Sequence, residues 1–497
     1  MLVWLILLGI FTYLIVRRSV ANITRTPVWV LWLVMMLPAF VWTAWVLVNG
    51  ESAPMPILLL LAPFILCPIL YYFLIQWGRP QQSSASPEAP VDQSLTENPM
   101  APGGNKQRPT IRPIDKEEEA TLQTCFPWSI FYLQNIEYRP QALICRGQLR
   151  TSPEVAYQTI QENVSNKFGD RFLVVFQEGL NGKPFFALVP NPHLETANNK
   201  PAEAVNRPGL AAGLLVATLF TTTWAGIGLA TASDRLTRFE PSMLQLGLPY
   251  AIALMAILGS HEFAHFLTAR FYKIRATLPY FIPVPFTALF PFGTFGAFIQ
   301  MRSPVPNRKV LFDVGIAGPI AGFVVAVPVL IWGLAHSTPV QIGETSGLFN
   351  FESFKPTASL LLLLLSKLSL GASLTDTSAL KLHPVAIAGC LGVVITALNL
   401  MPVGQLDGGH IVHAMFGQRT GALIGQVARI LVLALSFVQQ EFLLWAILLF
   451  FIPVIDEPAL NDVSELDNRR DLFGLLALSL LVIIVLPAPP ALTQILF

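Results

Sequence analysis

The most chemically specific spacing in the chain is His261-Glu262-Phe263-Ala264-His265. On an α-helix, residues four apart stand one above the other, so these two imidazoles can face one tetrahedral metal ion. Glu262 sits beside the first of them and can take a proton from a water at the metal without being a ligand, the position of a general base. A hydrolytic zinc uses three protein ligands and leaves a fourth position open. The third ligand has to come from a distant segment. Asp407, in Asn399-Leu400-Met401-Pro402-Val403-Gly404-Gln405-Leu406-Asp407-Gly408-Gly409-His410, follows an apolar run and lies in a Pro- and Gly-rich break that can bend the backbone toward a metal. His410 and His413 are its rivals. A carboxylate beside two imidazoles is a recurrent set for hydrolytic zinc, and on that ground Asp407 is preferred, with one zinc ion expected per chain. The bland alternative is that two His and a Glu satisfy one another without metal. A Glu inside an apolar helix costs on the order of 3 kcal/mol, however, and such residues usually mark a functional path.

The elements that must position these groups are membrane helices. Of 497 residues, 53% are hydrophobic and 12% charged, against about a quarter charged in soluble proteins. Apolar runs long enough to cross roughly 30 Å of hydrocarbon recur along the chain. They lie at about 1–16, 28–48 and 56–77, then at about 209–231, 247–268, 310–334, 384–402, 421–438, 442–455 and 472–488. The fold class is thus a polytopic α-helical membrane protein of about 9–10 spans, the 442–455 run being short for a crossing. Four regions are expected: an N-terminal three-span block (1–78), a disordered linker (79–113) containing seven prolines, a soluble α+β domain (114–200), and a catalytic membrane domain (205–497).

In the soluble region, Ala142 to Cys145 reads as a strand. Ser152-Pro153-Glu154 has the order of a helix start, and that helix is expected to run to about Lys167. Phe172–Gln177 and Pro184–Val189 read as strands joined through an Asn181-Gly182 turn. His193 reads as a surface loop residue. Cys67, Cys125, Cys145 and Cys390 have no metal-binding spacing and read as buried free thiols. Net charge is +1, so there is no basic field for nucleic acid.

Arg17, Arg18 and Arg25 after the first run, and Arg270, Lys273 and Arg275 after the 247–268 run, place both loops on the cytoplasmic side. The amino terminus is then outside and 79–207 cytoplasmic. With no Arg- and Ser-rich leader ahead of the first run, a bacterial plasma or internal membrane is expected over a plastid. For Asp407 to return to the depth of His265, the apolar stretch Leu360–Leu370 must not cross the membrane. At eleven residues it is too short to do so.

The HEFAH helix, the downstream Asn399 and Leu406-Asp407-Gly408, and the intervening Gly293-Thr294-Phe295-Gly296 together resemble the site-2 proteases, intramembrane zinc metalloproteases. Gly147-Gln148-Leu149-Arg150 and Leu460-Asn461-Asp462-Val463 are similar to the plant and cyanobacterial EGY subgroup, which commonly has Asn where Gln148 stands. The resemblance implies His261, His265 and Asp407 as ligands, Glu262 as base, and Asn399 as a group that positions substrate or an oxyanion. It also implies that Gly293, Phe295 and Gly296 belong to a membrane-associated β-hairpin whose edge pairs with an unwound substrate. The implied substrate is a membrane-anchored regulatory protein already trimmed by another protease. Gly315, Gly318 and Gly322, with Ala317 and Ala321, read as a small-residue face for close helix packing. The alternative class is a metal transporter or sensor using the same ligands, but the central spans show few further ionisable residues that would line a path across.

Overall fold

The computed structural model describes residues 26–49, 114–139, 142–179, 182–191, 207–231, 243–284, 291–341, 350–375, 378–437 and 439–496, with scattered positions within 9–17 and 56–77. The linker at 79–113, His193, Asn181 and most of the first and third expected spans lie outside the described residues. The chain divides into two units, 1–106 and 107–497. In the first, helix α1 (Val28–Asn49) carries Pro38 in its interior, and the Trp32 indole donates to the Gly9 carbonyl at 2.8 Å.

The second unit opens with a small α+β layer. Helix α2 (Lys116–Thr124) begins where Glu118 accepts from the backbone N–H of Asp115 at 3.1 Å. Strands β1 (Phe131–Arg139) and β2 (Ala142–Leu149), helix α3 (Pro153–Phe168), and strands β3 (Phe172–Glu178) and β4 (Pro184–Pro190) follow. The strands form an antiparallel sheet in the order β1-β2-β4-β3. Ala156, Ile160 and Val164 recur at helical spacing on the buried face of α3. They close a core in which Phe176 stacks on Phe186 with ring centroids 4.1 Å apart. The helix and the two later strands stand where the sequence pattern puts them. The nine-residue β1 and helix α2 were not anticipated, because Phe131–Arg139 mixes charge and amide with its apolar residues and α2 is polar nearly throughout.

The remainder is a helical bundle. Helix α4 (Pro208–Ala230) packs along α5 (Leu244–Phe271); strands β5 (Tyr280–Pro283) and β6 (Thr294–Phe298) pair antiparallel and lead to α6 (Arg308–Ala335). Strand β7 (Thr338–Gln341) pairs with β8 (Ser378–Lys381), which lies beyond the short helix α7 (Leu360–Leu370). Then come α8 (Pro384–Asn399), α9 (Asp407–Phe416), α10 (Gln418–Ser436), α11 (Leu443–Phe451), α12 (Asn468–Val485) and α13 (Pro490–Leu496). Helix α6 is central, packing against α5, α8 and α9. The Asn307 side chain caps it by accepting the Val310 N–H at 3.0 Å, and His383 Nδ1 accepts the Val385 N–H at 3.2 Å to start α8.

The outer faces of these helices leave Phe220, Ile252, Leu267, Val324 and Leu423 exposed while Tyr250, Leu254, Leu330 and Val393 are buried inside. Apolar side chains covering the outside of a bundle belong in hydrocarbon rather than water. Among the described residues, five helices are long and apolar enough to cross a membrane, or six if α12 and α13, which meet at an 82° bend, form one span. This falls short of the nine to ten spans expected. Two of the missing ones are largely outside the described residues, and α8, at 16 residues, is a shorter apolar helix. Helix α11 has nine residues and rises only about 14 Å, so the 442–455 run is not a crossing. Helix α7, with eleven, likewise does not cross, as the placement of Asp407 requires.

Close helix contact in this bundle depends on missing side chains. A methyl group at Gly247 would lie 2.1 Å from the Thr223 carbonyl oxygen across the α4–α5 seam, whereas one at Gly213 would meet nothing within 4 Å. Gly247→Ala should therefore destabilise the detergent-solubilised protein by about 1–3 kcal/mol, and Gly213→Ala should be neutral or slightly stabilising, as read by thermal unfolding. Equal melting temperatures for the two variants would contradict this packing.

Candidate metal centre

His261 and His265 stand on consecutive turns of α5, both buried, with their Nε2 atoms 3.1 Å apart. Asp407 Oδ2 lies 3.4 Å from His261 Nε2 and 3.3 Å from His265 Nε2. Two segments separated by well over a hundred residues thus converge, and among the described residues this is the one His/Cys/Asp/Glu group placed to hold a metal ion. A tetrahedral zinc with bonds of about 2.0–2.1 Å sets its donor atoms about 3.3 Å apart, and the observed triangle has those edges. The residues present fit zinc.

Asp407 reaches this position through the break after α8. Met401 N–H bonds to the Leu398 carbonyl, Val403 N–H to Met401 and Leu406 N–H to Val403, so the chain folds back tightly and restarts as α9 with Asp407 as its first residue. Gly404 sits at the turn with φ +52°, and a Cβ there would overlap the Pro453 carbonyl. Only glycine satisfies both demands.

Helix α6 contributes no ligand yet shapes both imidazoles. His265 Nδ1–H donates to the Val314 carbonyl at 2.8 Å, which leaves the Nε2 lone pair facing the triangle. A Cβ at Gly318 would lie 2.1 Å from His265 Nε2, and one at Gly322 would lie 3.2 Å from His261 Cβ. The small-residue face read from the sequence as a packing surface therefore also vacates the space that the ligand rings occupy. The sequence showed the glycines and their spacing but not which rings they clear.

Glu262 is buried next to His261, within electrostatic reach of His265 and Asp407, and its carboxylate lies near the backbone of Ile299. Ile299 follows β6, so the end of the hairpin lies beside the Glu262 side chain. Asn399, at the end of α8, has its amide nitrogen 3.2 Å from His261 Nε2, beside the triangle. In the hairpin, Gly293 is buried against α4, with its carbonyl accepting from the Thr221 hydroxyl at 2.7 Å, while Phe295 is exposed and Gly296 has φ +102°.

His410 and His413, considered as alternative third ligands, turn away from the triangle. Both Nδ1 atoms lie 2.8 Å from Asp456 Oδ2, and His413 Nε2 lies 2.8 Å from Asp462 Oδ1. With carboxylates at both ring nitrogens, His413 has to donate from both and is an imidazolium. Burial alone would lower its pKa, but the two carboxylates raise it to about 9. Asp456 is raised by burial and lowered further by its two His partners, to about 2. Sequence reasoning missed this clamp because Asp456 and Asp462 lie some 45 residues beyond the helix they hold. The four cysteines are free and buried, as read, though Asn461 and Asp462 are buried polar residues that the pattern alone did not explain.

A buried triangle of potential ligands shared by two helices of an apolar bundle defines the framework of a membrane metal site. Residues 249–440, which contain all three donors, match the model of peptidase family M50, and residues 120–196 match the EGY3 middle domain. The chain carries the M50, or site-2 protease, domain and is homologous to the plant EGY zinc metalloproteases. It is 30% identical over 378 residues to the probable zinc metalloprotease EGY2, chloroplastic, of Arabidopsis thaliana, covering 74% of this chain and 64% of that one. To the probable zinc metalloprotease EGY1, chloroplastic, of the same plant it is 35% identical over 242 residues, covering 48% and 43%. To EGY3 of Oryza sativa subsp. indica it is 24% identical over 369 residues, covering 71% and 61%. The chain thus spans less than two thirds of the length of these relatives. No solved structure matches it. Zinc is the cofactor that this domain and these homologues imply. The relatives are chloroplastic by name, so the expectation of a bacterial over a plastid membrane finds no support in them.

Two expectations follow from this geometry. Gly318→Ala should lower zinc affinity at least 100-fold because its methyl occupies the His265 ring position, while Gly322→Ala, with contacts at 3.2–3.3 Å, should cost much less. Equilibrium dialysis against zinc checks the order, and equal affinities would contradict it. The second concerns pH. A raised histidine pKa gives stability that is complete below about 6.5, the unfolded value, and lost as pH rises through about 9. The lowered Asp456 pKa gives stability that is lost only as pH falls from about 4 through about 2. The melting temperature of the native protein minus that of His413→Gln should therefore shrink between pH 6.5 and 9, and a constant difference across that range would contradict the imidazolium assignment.

Proposed function

We propose that the chain is an intramembrane zinc metallopeptidase that hydrolyses a peptide bond within or near the transmembrane segment of a membrane-anchored protein. The observation that carries this reading is the triangle of His261, His265 and Asp407, with edges of 3.1–3.4 Å suited to zinc and with Glu262 alongside it in a bundle of apolar helices.

His261, His265 and Asp407 would hold the ion through two imidazole nitrogens and one carboxylate oxygen. Zinc, when bound, supplies Lewis acidity toward water and the scissile carbonyl. Glu262 takes a proton from the attacking water as its oxygen bonds to the carbonyl carbon, then delivers it to the amine as the C–N bond breaks. Asn399, whose amide nitrogen lies 3.2 Å from His261 Nε2, would donate its amide hydrogens to the oxygen that gains charge. An extended substrate segment has unpaired backbone groups that lipid cannot satisfy. The hairpin edge around Gly293, Phe295 and Gly296 would offer strand pairing for them.

The test uses purified full-length protein and a model single-span substrate. Glu262→Gln should retain one zinc per chain and lose at least 100-fold in cleavage rate. Asp407→Ala should lose both. Zinc absent from the native protein, or cleavage undiminished in Glu262→Gln, would refute the proposal.

A further inference from the structure

Helix α9 begins at the ligand Asp407 and is gripped from behind by a layer of polar contacts. Asp456 and Asp462 hold His413 from both sides at 2.8 Å, and Asp456 also accepts from His410. The Gln418 amide donates to the Asp456 carbonyl, and Arg308 Nε donates to the Ala414 carbonyl, both at 2.8 Å. None of these groups touches the metal triangle. They fix the position of the helix whose first residue closes it.

The carboxylates have their own support. The segment carrying Asp462 runs as a short strand between two neighbours. On one side Phe176 N–H donates to the Leu460 carbonyl and Asp462 N–H donates to the Phe176 carbonyl at 2.9 Å, extending the soluble sheet beyond its edge strand β3. On the other side Leu460 and Asn461 N–H donate to the Val305 and Pro306 carbonyls, both at 2.9 Å, immediately before the cap of α6. Asn461 is buried and bonds Ser464 Oγ at 2.7 Å, which holds the strand in register. A continuous path of hydrogen bonds therefore runs from β3 through 460–462 and Asp462 to His413, and along α9 to Asp407. Nothing in peptide hydrolysis itself requires this path, and neither ring nitrogen of His413 is left to act on a substrate.

We infer that His413, held between Asp456 and Asp462, is a positioning residue for the metal ligand Asp407, and that the strand at 460–462 makes the soluble domain part of that support. The inference rests on the reading of His261, His265 and Asp407 as the metal site. A neutral residue at 413 supplies no positive charge between the two carboxylates, and a buried charge that loses its partner is unfavourable, so α9 would shift and take Asp407 off the vertex. Binding at the metal site and ordering of the 460–462 strand are then linked reciprocally.

The experiment uses full-length protein in detergent, with zinc and with cobalt(II) as a spectroscopic substitute. His413→Gln and Asp462→Asn should fold with native helix content, bind zinc 10- to 100-fold more weakly and show an altered cobalt visible spectrum. Asp462→Asn keeps the backbone pairing with Phe176 and so reports on the clamp even where the residue 413 variant folds poorly. In the native protein, stripping the metal with a chelator should speed hydrogen exchange at α9 and at the Phe176 and Asp462 amides. Native cobalt spectra and zinc affinities in both folded variants, or exchange at those amides indifferent to metal, would overturn the inference while leaving the metal site standing. A native protein that takes up no zinc would instead remove the functional reading beneath it.

Discussion

The structure depends on how closely α6 can approach α5. Two imidazoles can aim their Nε2 atoms at one point only if the neighbouring helix leaves room for their rings and supplies an acceptor for the nitrogen that faces away. Helix α6 does both: it has no side chain at Gly318, where a methyl would enter the His265 ring, or at Gly322, where one would press on His261, and it offers the Val314 carbonyl to His265 Nδ1. The same helix faces α9 at Gly315, where a methyl would lie 3.0 Å from His410 Cβ. A helix with no ligand of its own thus sets the separation between the two segments that carry them. In hydrocarbon, where helices gain little from burying apolar surface against one another, such close backbone approach is a main source of association. The requirement of the site and the requirement of the bundle are met by the same glycines.

Ionisable groups and broken backbone are both costly at membrane depth, and the fold places them together. The break between α8 and α9 frees carbonyls and N–H groups, but its turns bond internally and it is covered by the Pro453 region, against which Gly404 is pressed. The carboxylate that emerges from the break meets two imidazoles instead of lipid, and Glu262 lies beside His261 near the same point. Each polar group is tolerated because another polar group, or an ion, is brought to it. This is why the hairpin, the α8–α9 turn and the HExxH turn of α5 all gather around one point of an otherwise apolar bundle.

Much of this was legible in the sequence because it rests on local periodicity. HExxH on an apolar run is a helix-face statement, and Leu406-Asp407-Gly408 after a Pro- and Gly-rich break marks a carboxylate where a span ends. Ser152-Pro153-Glu154, and the apolar stretches at 172–177 and 184–189, announce a helix and two strands that the structure places with nearly the same ends. What local pattern cannot carry is pairing across the chain. The 442–455 run is apolar enough for a span, yet its helix stops at Phe451 after nine residues, since Pro453 follows and the chain must return past Gly404. His410 and His413 had the right chemistry for ligands, but their distant partners Asp456 and Asp462 occupy them. The glycines of α6 were visible as a packing face, while the identity of what packs there required the neighbouring helix.

The α+β layer illustrates the same limit at a larger scale. Its sheet and its phenylalanine core read as a self-sufficient fold, and nothing in its residues suggests chemistry. Edge strands expose a row of unpaired backbone groups that have to be covered, charged or paired. Here part of the β3 edge is paired by residues 460–462, from a segment that lies between two membrane helices. The α3 residue Glu154 reaches Lys309 in the first turn of α6, adding an ion pair on the same side. An exposed pair of this kind contributes little by itself. Strand pairing is more demanding, because separating the α+β layer would leave the Leu460 carbonyl, the Asp462 N–H and both backbone groups of Phe176 without their partners. The layer that looks like an appendage in the sequence is therefore joined through residues 460–462, and the Asp462–His413 contact, to the helix that begins at Asp407.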